Sequence, residues 1–259
     1  MRFRGFPCDN LSAMNALEEL DQIPRGNTAP GVNRAIIEYL LKTGNTFTGA
    51  AILDVPCGNG DLLDAMKRFF PDSLTFGSDI NPPDKPDHQI SKTDASADDR
   101  LELDTRFKLI TCVSGVMEFD NTLNFFRSLR KCIADDGILI VTNDNLLSVR
   151  DRLLYFFSGR LRQYPMFVDD NAPTWKILPL QNLLRILGDA EFEVREIRYV
   201  PAKWSEWLLL PAALPIYLFQ SIAFTLDKHT LSYKEKATRY PFASLFSRHY
   251  FIVCGPREL

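Results

Sequence analysis

The stretch Ala50–Gly60, AAILDVPCGNG, decides the fold. Its first six residues form a short apolar run of the kind that parallel sheets bury on both faces, and Asp54 stands near the end of that run. Gly58 and Gly60 follow in the turn, where a missing Cβ permits positive φ and lets a ligand approach the backbone closely. Apolar residues then recur at helical spacing from Leu62 to Phe70. Strand, glycine turn and helix together predict the start of a β-α-β unit.

The same alternation continues along the rest of the chain. A helix is expected before the first strand, over Asn33–Leu41, because apolar residues recur there at helical spacing. The further predicted strands are Leu74–Ser78, Gln89–Thr93, Phe107–Val113, Gly137–Thr142, Phe192–Val200 and Arg248–Cys254, and the further predicted helices are Leu123–Ile133 and Pro179–Leu187. Strands that alternate with helices predict a doubly wound α/β fold.

Two stretches interrupt the alternation and divide the chain. Residues 146–175 are basic and aromatic, and residues 207–226 form a run of twenty residues without a charged side chain. We therefore expect an N-terminal helical segment at 1–48, a core at 49–145, a basic and aromatic insertion at 146–178, and a C-terminal part at 179–259 with an apolar insertion at 201–246.

Composition limits the classes of function. The 259 residues include 30 Lys and Arg against 33 Asp and Glu, a net charge of -3 that supplies no overall attraction for a polyphosphate. Nucleic acid is therefore not expected as a partner. The 5 cysteines are scattered and only 3 histidines are present, so the spacing predicts neither a disulfide framework nor a metal site. The polar N-terminus lacks the apolar region of a secretion signal, which favours a cytoplasmic protein.

Polar residues follow the next predicted strands. Asp79 comes after the second strand, where a carboxylate can accept hydrogen bonds from the ribose hydroxyls of an adenosine-bearing ligand. Asp94 follows the third strand, and Ser114-Gly115 follow the fourth. Because the carboxyl ends of parallel strands meet at one edge of a sheet, these side chains are expected near the glycine turn.

With these motifs in this order, the chain resembles the class I S-adenosylmethionine-dependent methyltransferases, over residues 33–200 and again at the last strand. The resemblance implies a Rossmann-like, mostly parallel seven-stranded sheet with an antiparallel last strand and a helical cap. It also implies S-adenosylmethionine as the cofactor. Asp79 matches the ribose-binding acid of the family, Asp94 the acid beside the adenine amino group, and Ser114-Gly115 the segment near the methionine moiety. The implied cofactor-binding residues are Asp54, Pro56, Gly58, Asn59, Gly60, Asp79, Ile80, Asp94, Ala95, Ser114 and Gly115.

The acceptor end of the expected site is less defined. Many small-molecule members of the family carry Glu-His after the fourth strand, whereas this chain has Glu118-Phe119, so no histidine base is predicted at that position. Methyl transfer from a sulfonium is an in-line displacement that depends mainly on orientation and on the exclusion of water. If the acceptor needs a base, Glu118, Asp144 and His249 are the candidates, and the residues alone do not choose among them.

Two other functions stay open. Residues 199–203, YVPAK, have the Tyr-x-x-x-Lys spacing of NAD(P)-dependent short-chain oxidoreductases, but Pro201 argues against the helix that this pair needs. Leu63 also stands where a dinucleotide fingerprint requires its third glycine. The other alternative is a methyltransferase-like binding module without turnover.

The apolar run 207–226 is long enough for a helix of about 30 Å, but we predict that it does not span a membrane. The strands expected on its two sides are neighbours in one sheet, so the chain must return to the side that it left. Pro211 and Pro215 are expected to break the run into short pieces. A helical cap, ordinary core packing and shallow insertion into a bilayer stay open.

The aromatic and basic residues around this run favour one kind of acceptor. Trp204, Trp207 and Tyr217 are of the types enriched at membrane interfaces, and residues 146–162 include four arginines that could hold a phosphate or a membrane surface. The expected acceptor is a small molecule, hydrophobic or lipid-linked, which the protein handles at the inner face of a membrane through peripheral contact by residues 207–226.

Overall fold

The computed structural model describes residues 19–94, 105–162, 166–167, 176–228 and 231–257. Its strands are β1 Ala51–Asp54, β2 Leu74–Asp79, β3 Gln89–Lys92, β4 Phe107–Cys112, β5 Ile133–Asp144, β6 Phe192–Tyr199 and β7 His249–Pro256. Its helices are α1 Val32–Lys42, α2 Asp61–Phe69, α3 Thr122–Cys132, α4 Val149–Ser158, α5 Leu180–Asp189, α6 Leu210–Leu226 and α7 Tyr233–Arg239, with 3-10 turns at Trp204–Leu209 and Phe242–Leu245.

The seven strands form one sheet in the order β3-β2-β1-β4-β5-β7-β6. All pairs from β3 to β5 are parallel, and β7 runs antiparallel to both of its neighbours. The predicted doubly wound sheet with an antiparallel last strand is therefore confirmed. The strand order changes direction between β1 and β4, and in open α/β sheets ligands bind in the crevice at the carboxyl ends of such a pair.

Both faces of the sheet are covered, which explains why β1 is apolar throughout. All four residues of β1 are buried. Because side chains alternate along a strand, Leu53 packs with Phe126 of α3 and Leu183 of α5 on one face, and Ile52 packs with α1 and α2 on the other. A buried parallel strand has no polar face, so its sequence shows a continuous apolar run.

Strand β5 is longer than the expected strand Gly137–Thr142. It begins at Ile133, directly after α3, and its pairing with β4 shifts register between Phe107 and Leu109. A Cβ at Gly137 would lie 2.8 Å from the carbonyl oxygen of Ala134 and 2.6 Å from the Ile133 side chain. The irregular segment therefore needs glycine, and its polar residues conceal the start of the strand from a pattern of alternation.

The prediction that Pro211 and Pro215 break the apolar run is wrong, because both lie within the continuous helix α6. Pro211 occupies the first turn, where the missing N–H has no intrahelical partner in any helix. Pro215 removes one hydrogen bond early in a helix of 17 residues, and the helix continues. The interruption falls earlier, between the 3-10 turn that ends at Leu209 and the start of α6.

Helix α6 is mostly exposed. The segment Trp204–Leu226 is long and apolar enough to cross a membrane by length and composition, and Ala213 is the buried residue of α6. Leu218, Phe219 and Leu226 are 60%, 71% and 74% exposed, so ordinary core packing does not describe this helix. As predicted, β6 and β7 are hydrogen-bonded neighbours, and the segment between them therefore leaves and rejoins the sheet at the same edge.

Candidate functional site

The glycine turn after β1 is tied to the end of β2. Gly58 and Gly60 have φ values of 51° and 75°, and Gly60 is the N-cap of α2. The Gly58 N–H donates to Asp79 Oδ2 at 2.8 Å, and the Cys57 N–H donates to the Ser78 carbonyl at 3.0 Å. Positive φ strains residues with a Cβ, so the conformation of this turn depends on its glycines. The peptide bond between Val55 and Pro56 is cis.

Asp79 also organises the loop that follows β2. Its Oδ1 accepts from the Asn81 N–H at 2.9 Å, while Oδ2 accepts from Gly58. Each carboxylate oxygen has two acceptor directions, so Asp79 can still accept further hydrogen bonds from a ligand. The carboxylate thus holds two backbone segments in place and faces the space between them.

Asp54 is a buried acid at the end of β1. Its Oδ1 accepts from Thr111 Oγ1 at 2.6 Å. Burial raises the pKa of Asp54 to about 7; the hydrogen bond from Thr111 opposes this shift, and the charge of Asp79 adds to it. A cationic ligand beside Asp54 would lower this pKa and favour the ionised carboxylate, so binding of a cation at this site depends on pH near 7.

The residues after β4 form the opposite wall. Ser114 has φ 57°, its N–H donates to Thr142 Oγ1 at 2.8 Å, and its hydroxyl lies 2.7 Å from Thr28 Oγ1. A Cβ on Gly115 would lie 2.3 Å from Cδ of Pro56. The β4 turn and the β1 turn can therefore approach each other only because position 115 is glycine.

A cavity of about 680 Å³ lies between these turns at the carboxyl edge of β1, β2 and β4. Eight of the eleven predicted cofactor-binding residues line it: Asp54, Pro56, Gly58, Asn59, Asp79, Ile80, Asp94 and Ser114. Gly60 and Gly115 shape the turns without lining the cavity, and Ala95 falls outside the described residues. The predicted motifs thus converge on one cavity.

The N-terminal loop also lines this cavity, although no sequence motif predicts it. Gly26, Asn27 and Thr28 line it, and Asn27 Nδ2 donates to Asn59 Oδ1 at 3.2 Å. Asn33 holds the loop by donating from Nδ2 to the carbonyl oxygens of Pro24 and Arg25, at 3.1 and 3.3 Å. The only local signal is a short polar segment before a helix, which is also typical of ordinary turns.

The three candidate bases do not lie together. Glu118 lines the 680 Å³ cavity, and burial, with the charge of Asp79, raises its pKa. Asp144 and His249 pair at the ends of β5 and β7, with His249 Nε2 3.2 Å from Asp144 Oδ1. Burial lowers the pKa of His249 against the opposing effect of Asp144, so the ring is neutral near pH 7. This pair borders a second, smaller cavity of about 220 Å³ that His249 lines.

The oxidoreductase alternative gains no support from the structure. Tyr199 ends strand β6, and its hydroxyl donates to the carbonyl oxygen of Arg239 at 2.8 Å. Lys203 follows in a non-helical segment, so the two side chains are not on one face of a helix.

Among the residues that the structure describes, no three His, Cys, Asp or Glu side chains are grouped as metal ligands would be.

Comparisons with known proteins agree with this geometry. The family model described as a methyltransferase domain matches residues 27–197, more than half of the chain. A search of curated proteins gives no significant match.

Solved structures share the fold at low sequence identity. An S-adenosylmethionine-dependent methyltransferase from Clostridium acetobutylicum ATCC 824 aligns with a TM-score of 0.53 and 11% identity over 96% of this chain and 100% of that chain. Magnesium protoporphyrin IX methyltransferase from Synechocystis PCC 6803, with bound S-adenosylhomocysteine, aligns with a TM-score of 0.51 and 12% identity over 94% and 95%. The cyclase SpnF aligns with a TM-score of 0.53 and 15% identity over 96% and 95%. The family model covers the motifs that line the donor cavity. The chain therefore belongs to the methyltransferase domain family and is an S-adenosylmethionine-dependent methyltransferase.

Proposed function

We propose that this methyltransferase acts on a small amphiphilic acceptor, hydrophobic or lipid-linked, which it meets through peripheral contact with the inner face of a membrane. The observation that carries the proposal is the exposed apolar face of α6. No residue of this helix lines the methyl-donor cavity.

The donor cavity fits the residues assigned to it. Asp79 would accept from the ribose hydroxyls, and Asp94 would lie toward the adenine, because these acids follow β2 and β3 at the cavity rim. Gly58 leaves its backbone open to a ligand, and Ser114 and Asp54 border the end over β4 and β1. When bound, S-adenosylmethionine supplies an electrophilic methyl group on a good leaving group. The chain's own residues then need to orient the two substrates and exclude water.

The exposed face of α6 is a continuous apolar stripe. Its members are spaced four residues apart, so each lies about one turn from the next and the stripe winds gradually around the helix. They are Leu210, Leu214, Leu218, Ile222 and Leu226, all exposed. Phe219 widens the stripe, and at about 1.5 Å per residue the helix is roughly 25 Å long. Soluble monomers rarely expose a contiguous apolar surface of this extent without a function for it.

The adjacent helix α4 also exposes aromatic side chains. Phe156 and Phe157 are both 79% exposed, and Tyr155 is exposed beside them. Arg152 Nη2, also on α4, donates to Gln220 Oε1 of α6 at 2.9 Å, so the two helices are adjacent. Exposed aromatic residues next to a leucine stripe match the composition of surfaces that insert into the boundary between headgroups and acyl chains.

The opposite side of α6 is fixed to the protein. Ala213 packs with Val149, Leu245 and Phe246, and Trp207 stacks on Phe246 with ring centroids 4.3 Å apart. Lys236 Nζ donates to the carbonyl oxygens of Phe224 and Asp227 at the end of α6, at 3.1 and 2.8 Å. These contacts hold the helix flat against the cap, which favours shallow insertion over a span.

A bilayer explains this face better than a protein partner does. The stripe carries no charged residue, and exposed cations flank the helical segment along the chain, with Lys203 before it and Lys228 after it; the exposed acid at the helix end, Asp227, is paired with Lys236. Protein interfaces usually carry a polar rim with matched charges of both signs, whereas cations around an apolar patch suit an anionic membrane. The proposed acceptor is therefore one that is dissolved in the membrane or anchored to it.

Two experiments test the proposal. Calorimetry with S-adenosylmethionine, S-adenosylhomocysteine and a nicotinamide cofactor should show binding of the first two alone. Because a cyclase shares the fold, turnover is tested separately by transfer of a radiolabelled methyl group into an organic-soluble product from membrane lipid extract. Recovery of all label in water-soluble products would contradict a hydrophobic acceptor.

Membrane contact is tested by flotation with vesicles of phosphatidylcholine and phosphatidylglycerol. The wild type should float and be released by carbonate, and Leu214→Ser/Leu218→Ser should not float. The matched control is Leu74→Ser/Ile177→Ser, because these side chains are 51% and 50% exposed but lie outside the stripe. Equal flotation of both double variants, or none by the wild type, would overturn the membrane role of α6.

A further inference from the structure

The second cavity, of about 220 Å³, lies at the carboxyl edge near β6 and the start of β7. It shares a wall with the donor cavity, because alternate parts of one loop face the two: Gly26, Asn27 and Thr28 line the larger cavity, and Arg25, Ala29 and Pro30 line the smaller one. A group bound in the smaller cavity would therefore lie beside the methyl donor, separated from it by the N-terminal loop.

Cations dominate the lining of this cavity. Arg25, Arg162, Lys203, Arg248 and His249 all line it, together with small and apolar residues. No acidic residue belongs to the lining, although three carboxylates stand behind it: Asp144, Asp151 and Glu206.

These carboxylates do not balance the positive charge. Glu206 serves two arginines at once, since it accepts from Arg150 Nε at 3.0 Å and from Arg248 Nε at 2.8 Å. Asp151 Oδ2 lies 3.5 Å from Arg162 Nη2. Lys203 makes no ion pair within the part of the chain that the structure describes. With the His249 ring counted as neutral and Arg150 included as a partner of Glu206, five cationic side chains (Arg25, Arg150, Arg162, Lys203 and Arg248) stand against three carboxyl groups, an excess of two positive charges.

Two buried atoms in the lining have no hydrogen-bond partner among the described residues: Nη1 of Arg162 and Nδ1 of His249. The His249 side chain is 8% exposed and that of Arg162 is 18% exposed. A buried polar atom without a hydrogen-bond partner is energetically unfavourable, so such atoms are rare in proteins unless a ligand supplies the partner. Arg162 offers a donor, and His249, whose Nε2 faces Asp144, offers an acceptor at Nδ1.

A phosphate monoester meets both needs. Its second pKa is about 6, so near neutral pH it is mainly a dianion, which matches the excess of two positive charges, and its oxygens accept from a guanidinium and an ammonium group. The monoanion keeps one P–OH that donates to the unprotonated imidazole nitrogen, and with the dianion that proton lies on the ring, which then donates to the phosphate. A carboxylate carries a single negative charge. Resting on the proposed function, we propose that the cavity bounded by Arg162, Lys203, Arg248 and His249 is a subsite for a phosphate monoester group of the methyl acceptor, which places that group beside the methyl donor.

Binding of inorganic phosphate, followed by calorimetry on the full chain, tests the subsite directly. Arg162→Gln should weaken phosphate binding by about tenfold or more, the loss of a charge-assisted hydrogen bond. Lys203→Gln, which removes an exposed and unpaired cation, should weaken it by a smaller factor and keeps the test valid if Arg162→Gln does not fold. Arg160→Gln is the matched control, because Arg160 is exposed and lies two residues from Arg162.

Vesicles distinguish the two sources of a phosphate monoester. If the acceptor is a lipid, the wild type should prefer phosphatidylcholine vesicles with phosphatidic acid to those with an equal charge of phosphatidylglycerol, a diester, and Arg162→Gln should lose that preference. If the acceptor is a water-soluble ester, phosphate binding depends on Arg162 and the vesicle preference is absent.

Three results would overturn the proposal: no phosphate binding by the wild type, equal binding by Arg162→Gln and Arg160→Gln, or weaker S-adenosylmethionine binding by Arg162→Gln without a change for phosphate. The last would assign the cavity to the carboxylate of the methyl donor. Failure of the membrane role shows separately, in the flotation of Leu214→Ser/Leu218→Ser.

Discussion

Replacing Asp79 probes the centre of the donor cavity. The carboxylate accepts from the Gly58 and Asn81 N–H groups at 2.8 and 2.9 Å and has acceptor capacity left for a ligand. Asp79→Ala should weaken S-adenosylmethionine binding by about 1 to 3 kcal/mol, the cost of leaving the ribose hydroxyls without their acceptor. That range corresponds to roughly 5-fold to 150-fold in Kd.

Because Asp79 also holds the glycine turn, Asp79→Ala should lower the melting temperature of the ligand-free protein as well. Asp79→Asn separates the two roles, since its amide oxygen can still accept one of the two backbone N–H groups but carries no charge. We expect Asn to recover part of the stability and little of the affinity. Calorimetry gives Kd, and circular dichroism gives the melting temperature and the integrity of the fold.

The control is Asp84→Ala, which removes an exposed acid from the same loop and should change neither quantity. Unchanged affinity in a folded Asp79→Ala protein would remove Asp79 from the binding site. If Asp79→Asn bound S-adenosylmethionine as well as the wild type, the carboxylate would act only through the turn, and the reasoning from ligand hydroxyls would be refuted.

Three further predictions concern the same cavity. Gly58→Val should abolish S-adenosylmethionine binding in a folded protein, because φ at this position is 51° and a Cβ would lie 3.2 Å from Asn27 Nδ2. A Kd near the wild-type value, measured by calorimetry, would contradict contact between the ligand and this turn. Affinity for S-adenosylmethionine should fall as pH drops below about 7, because the pKa of Asp54 is raised to about 7 and its anion attracts the cationic donor. The affinity of Asp54→Asn should not depend on pH in this range. A wild-type affinity that is constant across pH 7 would contradict the role of the Asp54 charge. Gly115→Ala should destabilise the protein and weaken S-adenosylmethionine binding, because the added Cβ would lie 2.3 Å from Pro56. The control Gly188→Ala should be tolerated, because the nearest atom to its added Cβ is 3.9 Å away. Equal melting temperatures for the two variants would show that the turn after β4 adjusts without cost.

The predicted elements that the structure confirms share one property, which is that their signal is local. Strand β1 is an apolar run buried on both faces, and Gly58 follows it in a turn that needs positive φ. Neither feature depends on a distant partner. The order of motifs along β1, β2 and β4 then brings Asp54, Asp79 and Ser114 to one edge, because parallel strands end together.

The elements whose structure differs from the prediction depend on contacts with residues that are distant along the chain. The start of β5 is concealed by an irregular pairing with β4 around Phe107, and no pattern within β5 records it. Pro211 and Pro215 suggest breaks by composition, yet Pro211 falls in the first turn of α6, where proline is tolerated, and the helix continues through Pro215 beside the packed Ala213. At Pro215, tertiary packing outweighs the intrinsic preference of one residue.

The sequence by itself determined the sheet, the glycine turn and most of the donor cavity, since hydrophobic periodicity and backbone conformation are properties of adjacent residues. Only the tertiary structure decided which remote groups meet. Thr28 closes the cavity on Ser114 across 86 residues of chain, and His249 pairs with Asp144 from another strand. It also decided that Arg162 turns into a buried cavity while Arg160, of the same type and two positions away, stays exposed. Burial is a property of the space around a side chain, and that space is formed by segments whose proximity no local pattern encodes.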